Sequence, residues 1–208
     1  MDEHAYHICD CKQGTEAWFE FKRGVPSASN FERLVQLDGK PSQSAKTYIN
    51  SLIAERITGE VVSGYQSAAM ADGNAREAAA RTAYSFVSGF DVEQVGFLLE
   101  PDCNYGCSPD AIFRGQKRGV EIKAPLASTL VGYLKNPRTA INKYYQQVQG
   151  SMLVTGFDKW DLFIYHEKMP VFLQPIVRDE IFLKSLKHEL AKATRSINET
   201  VAQLSTAA

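Results

Sequence analysis

Ser108-Pro-Asp110, followed after nine residues by Val120-Glu-Ile-Lys123, is the most informative segment of the sequence. Apolar segments at 110–113 and 120–124 are joined by Arg-Gly-Gln-Lys-Arg-Gly, whose glycines and charges are typical of a hairpin turn. Because side chains alternate between the two faces of a strand, Glu121 and Lys123 share one face. The sequence therefore predicts a β-hairpin that buries one face and carries charges on the other.

The hairpin also brings a second carboxylate to the charged face. With Arg114 and Gly119 flanking the turn, Asp110 lies opposite Lys123. A register shift of two residues keeps Asp110 on this face, whereas a shift of one residue turns it away. The sequence therefore predicts that Asp110, Glu121 and Lys123 form one patch.

The chemistry of this patch suits a divalent cation. Two carboxylates close together raise each other's proton affinity, and a cation between them removes that repulsion. Oxygen ligands favour Mg²⁺ or Mn²⁺, and a neighbouring lysine can hold a water, so the set suffices for metal-assisted phosphodiester hydrolysis. The alternative is a half-exposed strand with a solvated charged face, in which Asp110 is only a turn residue after Pro109.

Two helical segments supply further candidates. Glu77 shares a helix face with Ala80 and Tyr84, and a carboxylate on such a packing face is explained by a bound metal or water. Tyr144 and Gln147 lie three residues apart on one face of another helix, where they can touch DNA or the catalytic patch. For Glu77 the alternative is a surface ion pair with Arg81, four residues further along the helix. For Tyr144 and Gln147 the alternative is an ordinary polar helix face.

Length and composition indicate one globular domain spanning 1–208. The 44% hydrophobic and 23% charged residues exclude a mostly disordered chain, a collagen-like fibre and a coiled coil. There is no run of 18 apolar residues, so no membrane span is expected. The acidic N-terminus, Met1-Asp2-Glu3-His4, does not resemble a signal peptide, so a cytoplasmic protein is expected.

The charge is unevenly distributed along the chain. The net charge is −1, but residues 111–150 hold seven basic residues and one acid, a net charge of +6. The basic residues are Arg114, Lys117, Arg118, Lys123, Lys135, Arg138 and Lys143. A globally basic nucleic-acid binder is thereby excluded, whereas a local basic channel is not.

The four cysteines, Cys9, Cys11, Cys103 and Cys107, are spaced C-x-C and C-x3-C. Structural zinc sites usually use C-x2-C or C-x4-C pairs, so reduced thiols are the expectation. A cysteine-based metal or redox protein remains the alternative.

The rest of the pattern combines helices and strands. Apolar periodicity and capping residues predict helices at 14–22, 29–36, 43–58, 74–88, 140–155 and 179–204. Strands are predicted at 91–99, 160–166 and 171–177, and Pro170 and Pro175 favour an edge position for the last one. We therefore expect an α/β (α+β) fold, with a central mixed β-sheet flanked by helices and a long C-terminal helix at about 179–204.

Four motifs, taken in order, resemble those of the PD-(D/E)XK nucleases. They are G-x-x-x-E (Gly73 to Glu77), S-P-D (Ser108 to Asp110), E-x-K (Glu121 to Lys123) and Y-x-x-Q-x-Q (Tyr144 to Gln149). Their order and spacing are similar to the phage lambda exonuclease and YqaJ-type viral recombinase branch. The N-terminal part of this chain resembles that branch's signature at Gln13-Gly14, Trp18, Lys22-Arg23-Gly24-Val25 and Ser27-Ala28-Ser29. The downstream part resembles it at Ser151-Met152 and Trp160. The similarity covers residues 13–178.

The resemblance implies a restriction-endonuclease-like core and a metal-binding role for four residues. Asp110, Glu121 and the backbone carbonyl of Ile122 would bind catalytic Mg²⁺, two ions per site, with Mn²⁺ as the alternative ion. Glu77 would bind a metal or a metal-bound water, and Lys123 would orient the attacking water.

The resemblance also implies phosphate-binding residues. Gln147 would contact the scissile or terminal phosphate, supported by Tyr144. Ser29 and Ser108 would belong to a pocket for a 5′-terminal phosphate. The family has an arginine in that pocket, whereas this chain has Lys22 at the corresponding position and Arg23 next to it, so both are candidates. A second departure is Ala111, which stands where the family usually has glycine.

The function implied by the resemblance is that of a Mg²⁺-dependent 5′→3′ double-strand DNA exonuclease. Such enzymes resect linear duplex from 5′-phosphorylated ends to mononucleotides and a 3′ overhang, in phage-type recombination with a single-strand annealing protein. They are homotrimeric rings, and in a ring only the channel needs basic charge. The alternatives are an endonuclease on the same core and a catalytically inactive DNA-binding module.

Overall fold

The computed structural model describes residues 6–60, 68–113 and 115–206 and, for residues 68–75, the backbone alone. The predictions for the N-terminal residues 1–4 and for Arg114 lie outside the described residues, and so does the side-chain environment at Gly73. None of the helices within the described ranges is long and apolar enough to cross a membrane.

Strands and helices follow one another along the chain. In order they are β1 (His7–Cys9), α1 (Glu16–Lys22), a 3₁₀ helix (Ala28–Arg33), α2 (Ala45–Thr58), α3 (Ala68–Ser88), β2 (Val92–Glu93), β3 (Phe97–Leu99), β4 (Gly106–Cys107), β5 (Ala111–Phe113), β6 (Arg118–Lys123), α4 (Ala127–Lys135), α5 (Pro137–Thr155), β7 (Lys159–Ile164), β8 (Phe172–Val177) and α6 (Glu180–Ser205).

The central sheet is mixed, as predicted. Its strands have the order β2-β5-β6-β7-β8 within the described residues. Strands β6 and β7 are parallel, and α4 and α5 connect them, whereas the other neighbours are antiparallel. Strand β8 lies at the edge and contains Pro175, which cannot donate to a ladder. The expected edge position is confirmed.

Helices cover both faces of this sheet. On one face, Ala80 and Tyr84 of α3 pack against Val120 and Ile122 of β6 in one apolar cluster. On the other face, α5 packs against Trp160 and the other inward residues of β7. The α/β (α+β) fold with a sheet between helical layers is therefore confirmed, and α6 forms the long C-terminal helix.

The predicted strand at 91–99 is wrong as a continuous element. It divides into β2, in the central sheet, and β3, which pairs with β1 and β4 in a second sheet. The division occurs near Gly96, where an added Cβ would lie 2.1 Å from the carbonyl oxygen of Cys11. Only glycine lets the chain pass this close to the β1 segment as it changes sheets.

The helical predictions also need correction, and α3 begins at Ala68, six residues before its predicted start. The predicted helix at 29–36 is a short 3₁₀ turn, and α4 is not predicted at all. Gly132 and the β-branched Thr129 and Val131 weaken the helical signal of α4. Helix α5 begins at Pro137, three residues before the predicted start. Proline is tolerated there because the backbone N–H that it lacks has no hydrogen-bond partner at the first helical position.

Candidate active site

The β5–β6 hairpin forms two residues away from the predicted register. Ala111 pairs with Val120, which sets Asp110 opposite Glu121 rather than opposite Lys123. A two-residue shift leaves every side chain on its predicted face. The structure thus brings Asp110, Glu121 and Lys123 together, although the predicted pairing is wrong.

Arg118, the first residue of β6, connects the hairpin to the rest of the sheet. Its guanidinium donates to both carboxylate oxygens of Asp161 on β7, at 2.6 and 2.7 Å, and lies over the rings of Phe90 and Phe113. Tyr84 of α3 donates to the same buried carboxylate at 2.5 Å. This network, which the sequence analysis missed, joins α3 to the sheet. An acid among the apolar residues of β7 was the available signal.

Glu121 is the most enclosed carboxylate of the patch, at 1% exposure beneath α5. Its Oε1 lies 2.5 Å from the Nζ of Lys123 and accepts a 2.6 Å hydrogen bond from the Nε2 of Gln147. Its Oε2 is buried without a hydrogen-bond partner among the described residues. The alternative of a half-exposed strand with a solvated face is therefore wrong.

Asp110 is held against the backbone of the same strand. Its Oδ2 accepts a 2.6 Å hydrogen bond from the amide of Ile122. Burial raises the pKa of Asp110, and burial together with the charges of Asp110 and Glu77 raises the pKa of Glu121, against the lowering effect of Lys123. The pair therefore has an unusually high affinity for positive charge.

Lys123 supplies part of that charge. Burial lowers its pKa, but the charges of Glu121 and Asp110 outweigh burial and raise the pKa above its ordinary value. Lys123 is therefore protonated at neutral pH. A half-buried ammonium beside two carboxylates can hold and orient a water.

Glu77 approaches the patch from the other side of the sheet. It is half-buried on α3, one turn before Ala80, whose side chain packs on the sheet. Burial and the charge of Asp110 raise the pKa of Glu77, whereas Lys123 and Arg81 lower it. Glu77 therefore belongs to the electrostatic environment of the patch and is not a solvated surface residue.

Tyr144 and Gln147 reach the patch from α5. The ring centre of Tyr144 lies 5.4 Å from the Nζ of Lys123 and 6.3 Å from the ring of Tyr133 on α4. Gln147 reaches Glu121 directly, as described above. The two α5 side chains predicted for the site thus lie against its lysine and its glutamate.

The donors fit a metal ion bound mainly by two carboxylates. Among the described residues, no group of three or more His, Cys, Asp and Glu side chains could hold a metal ion. The unpartnered Oε2 of Glu121, beside Asp110, is an unsatisfied hard oxygen ligand of the kind Mg²⁺ prefers. Such an ion would keep several water ligands.

Lys22 lies beside the S-P-D motif. Its Nζ sits 3.8 Å from the ring centre of Trp18, and the indole N–H of Trp18 donates to the hydroxyl of Ser108 at 2.9 Å. Burial lowers the pKa of Lys22 to about 8, opposed by the charge of Glu55. Arg23 instead pairs with Glu20 on α1. Trp18, quoted only as part of a signature, is therefore a functional candidate that the sequence analysis missed.

The segment that carries Ser29 is fixed next to Ser108. Ser27 forms a parallel bridge with Gly106, whose amide donates to the carbonyl of Pro26 at 3.0 Å. Ser29 is exposed, with its hydroxyl 3.4 Å from that of Ser27. The N-terminal serines and Ser108 thus lie on adjoining segments.

The cysteines form no metal site in the described residues. All four are free thiols, with Cys9 and Cys107 buried and Cys103 exposed. Burial raises the pKa of Cys9 and of Cys107, so both thiols are protonated at neutral pH.

The mixed sheet, its two helical layers and the carboxylate–lysine patch define a protein with the PD-(D/E)XK nuclease fold. A family model described as the YqaJ-like viral recombinase domain matches residues 17–158, more than half of the chain. The chain therefore belongs to the YqaJ-like viral recombinase family, and the resemblance seen in the motifs is confirmed.

Solved structures agree with this assignment. An alkaline exonuclease (LHK-Exo) from Laribacter hongkongensis is similar with 27% identity and a TM-score of 0.81, covering 92% of this chain and 97% of its own. Its complex with dAMP has a TM-score of 0.79 at 27% identity, covering 91% and 96%. A phage-related exonuclease from Haemophilus somnus 129PT, at 14% identity, shares the fold, with a TM-score of 0.69 over 86% and 96%. No curated protein matches the chain significantly.

Proposed function

We propose that this chain is a metal-dependent 5′→3′ double-strand DNA exonuclease. It would resect linear duplex from 5′-phosphorylated ends to mononucleotides and leave a 3′ single-strand overhang. The viral recombinase family and the fold shared with an alkaline exonuclease support nuclease chemistry. That exonuclease has been solved with dAMP, a mononucleotide of the proposed product class. The observation that carries the proposal is the unpartnered Oε2 of Glu121 beside Asp110 and Lys123.

The metal-binding residues would be Asp110, Glu121 and the backbone carbonyl of Ile122, with Glu77 acting directly or through water. We propose Mg²⁺, two ions per site, with Mn²⁺ as the alternative. When bound, the metal would supply charge stabilisation for the phosphoryl group and would make a water more acidic. Lys123, held protonated by the two carboxylates, would orient the attacking water.

Gln147 is suited to hold the phosphate that is cleaved. A side-chain amide has two N–H donors, and one of them already binds Glu121. The second can reach a phosphate oxygen while the first keeps the amide in place. Tyr144 supports this arrangement by packing beside Lys123.

We assign the 5′-phosphate pocket to Lys22, Ser29 and Ser108. Lys22 is preferred over Arg23 because Arg23 already pairs with Glu20. Lys22 lies over the ring of Trp18, and the indole N–H of Trp18 donates to Ser108. A lysine makes a single charged contact where an arginine makes two parallel hydrogen bonds. The pocket would therefore hold the terminal phosphate mainly by charge.

The family supports a proposal for the biological setting. We propose a role in phage-type homologous recombination in the cytoplasm of a bacterial host, with a single-strand annealing protein as partner. We also propose a homotrimeric ring, by resemblance. Native mass measurement tests the ring, which requires three times the chain mass of 23.1 kDa.

Digestion of end-labelled duplex tests the activity. Linear DNA with 5′-phosphate or 5′-hydroxyl ends is incubated with Mg²⁺ or EDTA beside a closed circular duplex. We expect Mg²⁺-dependent release of mononucleotides from the 5′-phosphorylated strand, with the circle intact. Asp110→Asn should abolish release, whereas Asp38→Asn, the same change at an exposed aspartate, should not.

Each competing function gives a different result in this assay. Cleavage of the circle would indicate an endonuclease on the same core. DNA binding without cleavage in any metal would indicate a catalytically inactive module. Release from the 3′ end would contradict the proposed polarity.

A further inference from the structure

Arg81 lies on the face of α3 that packs against the sheet. Ala80 and Tyr84 of this face are fully buried, whereas Ala79 on the opposite face is exposed. Arg81 follows Glu77 by four residues, so the two side chains project from the same side of the helix. Arg81 therefore points in the direction in which Glu77 approaches the carboxylate–lysine patch.

The guanidinium of Arg81 is half-buried and makes no ion pair within the described part of the chain. Its Nε is buried and has no hydrogen-bond partner among those residues. Arg23 and Arg118 also have an unpartnered Nε, but each of them pairs with a carboxylate through another nitrogen. An arginine is always charged, and withdrawing it from water without a partner costs free energy. The donors of Arg81 are therefore available to an anion that is not part of the chain.

The positive charge of Arg81 acts on two carboxylates of the site. Burial raises the pKa of Asp110 and that of Glu77, and Arg81 is one of the charges that oppose this rise. Neither carboxylate forms an ion pair with Arg81, although all three residues are described, so the surface pair of Glu77 with Arg81 does not form. A residue that only held Glu77 in place would need such a contact.

The chemistry of a guanidinium suits a phosphate. Its planar fork of N–H donors can bind two oxygens of one phosphate in parallel. A positive group fixed beside a phosphate that is being hydrolysed stabilises the negative charge of the transition state. Gln147 contacts Glu121 from α5, and Arg81 approaches from α3, the helix on the opposite face of the sheet. A phosphate at the patch would therefore meet donors from both helices.

We propose that Arg81 binds a non-bridging oxygen of the phosphate that is cleaved. This inference rests on the proposed function, because it takes a DNA phosphodiester as the substrate of the patch. Water would add a hydroxyl to phosphorus, and the bond to the O3′ of the terminal nucleotide would break, with a proton passing to O3′. The cleaved phosphate is thus on the 3′ side of the terminal nucleotide, so the contact is separate from the 5′-phosphate pocket of Lys22, Ser29 and Ser108.

Two small nucleotides distinguish these phosphate sites without any cleavage. Deoxyadenosine 5′-monophosphate carries only the 5′-phosphate, whereas deoxyadenosine 3′,5′-bisphosphate adds a phosphate at the cleaved position. Calorimetry with Mg²⁺ gives both affinities for wild type, for Arg81→Gln and for Arg195→Gln, the same change at an exposed arginine of α6. We expect the wild type and the control to bind the bisphosphate about tenfold or more tightly than the monophosphate, and Arg81→Gln to lose most of this preference.

Arg81→Lys is a second variant that keeps the positive charge and loses the planar fork. We expect it to retain part of the preference for the bisphosphate, between the values of wild type and Arg81→Gln. Its result also tests the contact if Arg81→Gln does not fold. A preference equal to that of wild type in a folded Arg81→Gln protein would overturn the inference.

The remaining outcomes separate this inference from the proposed function. Equal weakening of both nucleotides in Arg81→Gln would overturn the inference, because it would indicate a structural role, even if the wild type digests DNA as proposed. The same holds for a wild type that binds the two nucleotides equally. A preference that depends on Arg81, in a wild type that releases no mononucleotides from duplex DNA, would support the phosphate contact and contradict the exonuclease.

Discussion

The amide nitrogen of Gln147 donates a 2.6 Å hydrogen bond to the Oε1 of Glu121. Lys123 contacts the same oxygen at 2.5 Å, so both lone pairs of Oε1 are engaged. The Oε2 of Glu121 is left buried and without a partner. Helix α5 therefore determines which carboxylate oxygen of β6 is free to bind a cation.

This relationship makes Gln147 the first site to test. Gln147→Ala removes the amide that holds Glu121 and that would contact the phosphate. Loss of one donor of this kind costs about 10²–10³ in turnover. Single-turnover release of mononucleotides measures it, with Gln203→Ala, the same change at an exposed position of α6, as the control. A Gln147→Ala rate within twofold of wild type would remove Gln147 from the site.

Metal binding should depend on pH. The pKa values of Asp110 and Glu121 are raised, chiefly by burial, in the metal-free protein. A carboxyl group with a raised pKa stabilises the fold below its ordinary pKa and loses that contribution as pH rises through the raised value. Mg²⁺ binds the deprotonated pair and should restore stability, so the Mg²⁺-induced rise in Tm should grow from mildly acidic to alkaline pH.

The Tm series has an internal control. Glu121→Gln removes one of the two titrating groups and should flatten the dependence of the Mg²⁺ effect on pH. A Mg²⁺-induced shift in Tm that is equal at all pH values in the wild type would contradict binding at this pair.

Local alternation was enough to predict the faces of the hairpin. Val120 and Ile122 are buried against α3 and Glu121 faces α5, because a period of two residues survives an error of two in register. The alternation does not fix the register, and the contacts of the hairpin with the rest of the sheet, such as that of Arg118 with Asp161, join residues 43 positions apart. Contacts of that separation leave no local pattern in the sequence.

The second sheet was not predicted for the same reason. Strands β1, β3 and β4 are two or three residues long, and β1 pairs with β3 about ninety residues further along the chain. More of the candidate site than of the fold could be predicted, because the site residues occur in motifs of fixed order and spacing. Trp18 was missed as a link, since its hydrogen bond to Ser108 joins segments that only the tertiary structure brings together.

The 5′-phosphate pocket should depend on Lys22 and on its charge. Lys22→Gln should reduce the preference for 5′-phosphate over 5′-hydroxyl ends about tenfold or more, since a buried charge contact is worth about 1.5–3 kcal/mol. Arg23→Gln should have a smaller effect, because Arg23 pairs with Glu20. Competition between the two end types measures the preference. An equal loss in both variants would contradict the assignment to Lys22.

The same pocket should lose selectivity at alkaline pH. The pKa of Lys22 is lowered by burial to about 8, so its ammonium becomes neutral as pH rises above that value. The preference for 5′-phosphate should therefore decline above about pH 8 in wild type and should be flat in Lys22→Gln. A wild-type preference that rises with pH would show that Lys22 does not provide the charge.

The buried network under α3 should contribute to stability. Tyr84→Phe removes the hydroxyl that donates to Asp161, and a hydrogen bond to a charged group contributes about 1.5–3 kcal/mol. Urea denaturation measures the free energy of unfolding. Tyr165→Phe is the matched control, since Tyr165 is half-buried and its ring stacks on Phe163. A Tyr84→Phe loss no larger than that of the control would show that Arg118 alone satisfies Asp161.

The most direct test of the account is Mg²⁺-dependent mononucleotide release from a 5′-phosphorylated linear duplex by wild type and Glu121→Gln. The substitution keeps the shape of the side chain and removes the anionic oxygen assigned to the metal. We expect release by the wild type and none by a folded Glu121→Gln variant. Equal release by both proteins would contradict the assignment of the catalytic centre to Glu121.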